Sequence, residues 1–257
     1  MTFIPNIDFY LEVAKGNIPK HSIIQRFGER DNFGTTTAGQ DIWRGNELTP
    51  SAAVRVPLIA AAGVLISWVS QSTADNGATA TGILTFEVDY IDVTGNEQTW
   101  TGTSNGTTPV DSTILMRHIN DVRTKTVGSG GVAAGHCKVY LTGDTTTVYS
   151  MIQLGGNHAM ITNYMVPLGK KLYCQEWDCT EANGKRLTMR PRSTSHDGVL
   201  IDGVFLFKDV AFIKNGTTGE LKLFCIEPAL SIIKVSGWSV TAGGECSAGF
   251  WGYLVQD

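Results

Sequence analysis

The feature that most constrains this chain is a series of short segments in which apolar and polar side chains alternate, cut at intervals by Asn-Gly pairs. In ILTFEVDYIDV, Leu84, Phe86, Val88 and Tyr90 alternate with Thr85, Glu87 and Asp89, so one set lines each face of a half-buried strand. The segment runs into Thr94-Gly95-Asn96 and returns as EQTWTGT, the pattern of a hairpin. Further strands are predicted at CKVYL (137–141), VYSMIQL (148–154), MITNYMV (160–166), KLYCQEWDC (171–179), RLTMRPR (186–192), VFLFKDVAFI (204–213), ELKLFCI (220–226), IIKVSGW (232–238) and SAGFWGYLV (247–255). Asn76-Gly77, Asn105-Gly106, Asn183-Gly184 and Asn215-Gly216 punctuate them with residues that tolerate positive φ. About a dozen such strands predict an all-β antiparallel fold, a sandwich or barrel. The best helical candidate is 113–120, with Asp111 or Ser112 as its N-cap.

Composition agrees. Only 17% of the 257 residues are charged and 29 are glycine, which argues against a coiled coil or helical bundle. A chain of this length buries about 70% of its unfolded surface, so a core is available without disulfides or metals. The net charge of −4, with no broad basic face, counts against a nucleic-acid partner. The first fifty residues read differently: Pro5, Pro19 and Pro50 interrupt irregular polar stretches that nonetheless carry Phe3, Phe9, Tyr10, Phe27, Phe33 and Trp43. They are expected to form an extended irregular N-terminal arm (1–50) whose aromatics pack on a surface of this chain or a neighbour, ahead of a β-sandwich domain (51–257). The apolar stretch VPLIAAAGVLISWV (56–69) is too short to span a bilayer and carries Pro57 and Gly63, so it reads as one or two buried strands and no membrane association is expected. The first residues show no basic segment followed by an apolar run, so no secretory leader is expected.

Chemistry is sparse. Ser195-His196-Asp197 are consecutive, so their side chains diverge and cannot line up as a triad. The histidines never fall at HxH or HExxH spacing. GSGGVAAG (128–135) lacks both phosphate-loop spacings and reads as a loop. Glu87 with Asp89, and Glu176 with Asp178, share strand faces in a way that would suit glycoside chemistry and equally suits a wet face. Cys174 and Cys179, five apart on one strand, are expected to face opposite ways, and all five cysteines are expected to be reduced small hydrophobes. Arg186, Arg190 and Arg192 line one face of KRLTMRPR, read as a charged strand edge that discourages mispairing. No catalytic residue, cofactor, metal or small-molecule substrate is expected, and the chain is read as non-enzymatic.

RFGERDNFGTTTAGQDIWRG (26–45) resembles the N-terminal signature of a family of virion structural proteins of tailed bacteriophages. In that signature an aromatic-Gly pair is followed by Asp, a Thr run and Asp-x-Trp before Gly. Phe27-Gly28, Asp31, Thr35-Thr36-Thr37 and Asp41-Ile42-Trp43 fill those positions. MVPLGKKLY (165–173), MRPR (189–192), EPALSIIKVSG (227–237) and the closing SAGFWGYLV extend the resemblance along most of the chain. It implies a jelly-roll-like antiparallel β-sandwich, a homotrimer assembled in the host bacterial cytoplasm and carried in the virion. The implied role is a capsid cement or decoration protein on the major capsid protein, the partner contacts falling on Phe27, Phe33, Asp41, Trp43, Arg186, Arg190 and Arg192. The alternatives are a tail, neck or baseplate component, or a carbohydrate-binding sandwich on a host-recognition fibre.

Overall fold

The computed structural model describes residues 8–43, 59–77, 81–201, 203–217 and 220–257. One short helix, α1 (Phe9–Ala14), precedes the strands β1 (His21–Phe33), β2 (Gln40–Asp41), β3 (Ile66–Ser70), β4 (Ile83–Asp92), β5 (Glu97–Thr103), β6 (Val110–Asp111), β7 (Met116–Val127), β8 (Cys137–Leu141), β9 (Asp144–Ile152) and β10 (Asn163–Met165). They are followed by β11 (Lys170–Glu181), β12 (Leu187–Ser193), β13 (Ser195–His196), β14 (Val199–Leu200), β15 (Leu206–Phe207), β16 (Ala211–Ile213), β17 (Gly216–Thr217), β18 (Leu221–Glu227), β19 (Ile232–Ser239) and β20 (Gly244–Gln256).

The all-β, antiparallel expectation holds. The two facing sheets of a jelly roll do not: among the described residues the strands form five sheets around two main cores. In the first, the sheets β5-β4-β7 and β6-β3-β8-β9 share a core. Trp68 stacks on Phe86 at 4.1 Å between ring centroids, and Trp100 meets Phe86 edge-on at 5.0 Å. Gly102 lies opposite Phe86 on the neighbouring strand, and any Cβ there would collide with the phenylalanine ring. Burying each of these large side chains contributes about 1.5–3 kcal/mol.

The second core lies between β1-β20-β11, extended by β17 and β18, and β10-β19-β12, extended by β2, β15 and β16. Phe33, Tyr164, Trp177, Met189, Phe250 and Leu254 fill it. A small apolar contact of Ile91, Met165 and Ile232 joins the two regions. Beside it the buried Asn120 side chain satisfies both backbone groups of Met165: its Oδ1 accepts from the amide at 2.8 Å and its Nδ2 donates to the carbonyl at 3.1 Å.

Four expectations need correction. The arm is irregular only in part: His21–Phe33 is a 13-residue strand paired along the last strand of the chain, and Asp8 caps α1 by accepting from the Leu11 amide. Residues 1–7 and 44–50 of the arm, with Phe3 and the boundary at 50/51, lie outside the described residues. The helix predicted at 113–120 is instead the start of β7, where Met116, His118, Asn120 and Val122 are buried. Cys174 and Cys179 both face the core, because a bulge between Cys174 and Glu176 inserts a residue and resets the alternation. The strand predicted over 204–213 is split into β15 and β16. The break falls opposite Arg190 and Pro191, where proline has no N–H to offer, and the Lys208 amide bonds the Pro191 carbonyl at 2.9 Å across it.

Candidate functional site

The contact residues expected in the N-terminal segment divide. Phe33 and Trp43 are buried in this chain's own cores, and Asp41 is buried in an ion pair with Lys234 at 3.0 Å. Arg30, itself buried, donates from Nη1 to the Asp41 carbonyl at 3.1 Å. Arg30 and Asp41 fasten β1 and β2 to β19, and the side chains of Phe33, Trp43 and Asp41 are enclosed within this chain. Phe27 is the exception: it stands on the outer face of β1, 45% exposed, with His158 at 6.3 Å between ring centroids. Its neighbour Gly28 sits so close to another segment that a Cβ would lie 2.8 Å from the Met160 carbonyl oxygen.

The three arginines do share a surface, although β12 is an interior strand flanked on both sides and guards no edge. Arg190 lies 4.2 Å above both the Phe207 and Trp238 rings, Arg192 5.0 Å above Phe207, and Arg186 5.8 Å from Phe212. Arg192 also donates to the Ala38 carbonyl at 3.0 Å. Guanidinium planes on aromatic faces hold both partners in place while leaving the outer surface of each open. Apolar side chains at described positions between Val199 and Ile226 face solvent, two of them against these arginines. Phe207, Phe212 and Phe224 are 57%, 64% and 77% exposed, and Val199, Val204, Val210 and Ile226 are exposed with them. The alternation in ELKLFCI signals an outward Phe224, but the outward turn of Phe207 and Phe212 depends on the break at Pro191 and was not readable beforehand.

Elsewhere the chemically suggestive residues are engaged. Glu87 and Asp89 are paired with Arg123, Glu87 also with Lys125 at 3.0 Å, and Asp121 with His158 at 2.7 Å. Hydrogen bonds and charge from these cations hold the Glu87 carboxyl below its ordinary range. Glu176 accepts from the Trp251 indole at 3.1 Å and pairs with Lys222, while burial raises the Asp178 carboxyl. Ser195 and His196 form β13 of a hairpin whose turn residues Asp197 and Gly198 both have positive φ, 47° and 77°. The Gly-rich loop does cradle an anion, this chain's own Asp75: the Ala134 and Gly135 amides reach its carboxylate at 2.9 and 3.0 Å, and the Ile83 amide at 2.7 Å.

A second cluster joins β11, β18 and β13. Cys174 lies directly opposite Cys225, and Glu227 follows two residues on, facing the same way. One ligand atom from each lies within 4.8 Å of the other two. Hydrogen bonding to Cys225, with burial, raises the Cys174 thiol well above its ordinary value. The Ser195 hydroxyl donates to Glu227 Oε2 at 2.5 Å, and Lys208 Nζ stands 3.5 Å from Oε1. Cys-x-Glu on one strand was visible in the sequence. The cysteine completing the set was not, because only strand register brings it opposite.

No protein-family model matches the chain, and no curated protein matches it. Among solved structures it is similar to a chain of "Structure of infectious bursal disease virus Gt strain", at 12% identity over 97% of this chain and 83% of that chain. The TM-score of 0.16 is too low to define a shared fold. The class that fold and surface define is an antiparallel all-β protein with two cores and exposed aromatic side chains. No helix of the described residues is long and apolar enough to cross a membrane.

Proposed function

We propose that this chain is a non-enzymatic structural component of a tailed-bacteriophage virion, a capsid-bound cement or decoration protein that self-associates as a trimer and binds the major capsid protein. The observation that carries the reading is the exposure of Phe207, Phe212 and Phe224, which stand largely in solvent, the first two against arginines. Several large apolar side chains exposed within a short stretch are the kind of surface that marks a contact, and aromatic residues with arginine are the types enriched at the centre of interfaces. The resemblance of residues 26–45 and of the C-terminal segments to phage virion proteins supports placing that contact in a particle.

Purified particles digested and quantified by mass spectrometry test the reading. A copy number comparable to that of the major capsid protein is expected. A few copies per particle would move the chain to the tail or neck, and absence from particles would overturn the proposal. For self-association, light scattering of the isolated protein is expected to give a trimer that Phe207→Ser/Phe212→Ser/Phe224→Ser reduces to monomer.

A further inference from the structure

We infer that Cys174, Cys225 and Glu227 form a binding site for a thiophilic divalent cation, zinc in type, which ties β11 to β18. Two thiol sulfurs and a carboxylate are a ligand set that selects such an ion over magnesium or calcium. Their ligand atoms already lie within 4.8 Å of one another. A tetrahedral zinc sets sulfur and oxygen ligands about 3.6–3.8 Å apart, so closing onto the ion needs shifts of about 1 Å or less.

Three further observations point to a ligand here. Glu227 is fully buried, yet its Oε1 accepts no hydrogen bond, while Oε2 is held by the Ser195 hydroxyl at 2.5 Å. That leaves Oε2 oriented by an outer partner and Oε1 without a hydrogen bond, 3.5 Å from the Lys208 ammonium; an outer partner of this kind is what orients a metal-bound carboxylate. Cys225 is only half-buried and lines an open groove with Phe207, Lys208 and Phe224, which gives an ion a way in and a water the fourth position.

The charge count also closes. Without metal, the buried group is a carboxylate and the Lys208 ammonium, 3.5 Å apart, beside two neutral thiols: −1 + 1 = 0. With metal it is two thiolates, a carboxylate, a divalent cation and the ammonium: −2 − 1 + 2 + 1 = 0. One cation enters and two thiol protons leave to the buffer, with no electron transferred. The net buried charge is unchanged, so uptake avoids the cost of placing an uncompensated charge in the interior.

The test uses the full-length protein, reduced and stripped with a chelator, then titrated with Co²⁺ and separately with Zn²⁺. One equivalent is expected to bind, with a sulfur-to-cobalt charge-transfer band. Calorimetry in buffers of differing ionisation enthalpy is expected to report two protons released, and affinity to rise about a hundredfold per pH unit while both thiols remain protonated. Cys174→Ser and Cys225→Ser should each remove the band, Glu227→Gln should keep it with weakened affinity, and Cys137→Ser, at a different site, should leave it intact. Should either cysteine variant fail to fold, the wild type still decides: Zn²⁺ is expected to protect Cys225 from maleimide alkylation, read by peptide mass spectrometry. No stoichiometric binding, binding without a sulfur band, a band that survives both cysteine variants, or unprotected Cys225 would each overturn the inference.

Discussion

The two cores treat charge and surface in opposite ways. The region 59–161 keeps the network of Arg123 with Glu87 and Asp89 near the surface and pairs the buried Asp121 with the half-exposed His158. Its interior is largely aromatic and aliphatic, with Asp75 enclosed by backbone amides and His118 and Asn120 buried on β7 among the exceptions. The region built from β1, β2 and 163–257 does the reverse. It buries Asp41 with Lys234 and Glu227 near Lys208, while Phe207, Phe212 and Phe224 stand outside. One region thus pairs buried opposite charges beneath uncovered aromatic side chains, the arrangement on which the proposed contact rests.

The largest expected effect comes from opening the core shared by β3 to β9. Phe86→Ala removes the ring stacked between Trp68 and Trp100 and is expected to cost about 4 kcal/mol, read by urea denaturation. A loss under about 1 kcal/mol would show that this core does not depend on its aromatic stack. In the other region, Lys234→Met leaves the Asp41 carboxylate buried without its cation. A loss of about 3 kcal/mol is expected, with Lys234→Met/Asp41→Asn recovering part of it. A double variant no better than the single would remove the ion pair from the account.

The seam between the regions should respond to pH. Burial first, and then the charge of Lys234, push the His118 imidazole down from 6.5 to about 3. The folded protein therefore binds one proton fewer than the unfolded chain between those values. The stability contributed by neutral His118 is present above 6.5 and lost as pH falls toward 3, by up to about 1.4 kcal/mol per pH unit. His118→Gln is expected to flatten the slope across this window, and an unchanged slope would assign it to other groups. The smallest effect on stability belongs to the exposed aromatics: Phe212→Ser is expected to change unfolding by no more than about 0.5 kcal/mol while weakening self-association in sedimentation velocity. A large loss of stability would mean that Phe212 belongs to the fold and not to a contact.

How much was legible in the sequence follows from what each element needs. β5 and β8 coincide with their predicted limits, because alternation and flanking turns are local signals. β7 was missed because His118 and Asn120 occupy buried positions that a hydrophobic pattern leaves to apolar residues, and Asn120 is there to complete the backbone of Met165. The same limit hid the candidate sites. The shared face of Arg186, Arg190 and Arg192 could be read, but not the rings beneath them. Cys225 and Glu227 lie two apart in the sequence, but Cys174 is brought opposite only by the register between β11 and β18, strands distant along the chain.

The pairing of β1 with β20 has a consequence for synthesis. Residues 21–33 are made more than two hundred residues before their partner, residues 244–255. The strands of the first core, β3 to β9, all lie between residues 66 and 152 and are complete well before that. Domains fold as units during translation, so the order of manufacture is the inner unit first, with β1 waiting beside it for a partner. The second core, and with it the exposed aromatics between 199 and 226, acquires its final shape only once residues 244–255 have been made and can pair with β1 and β11.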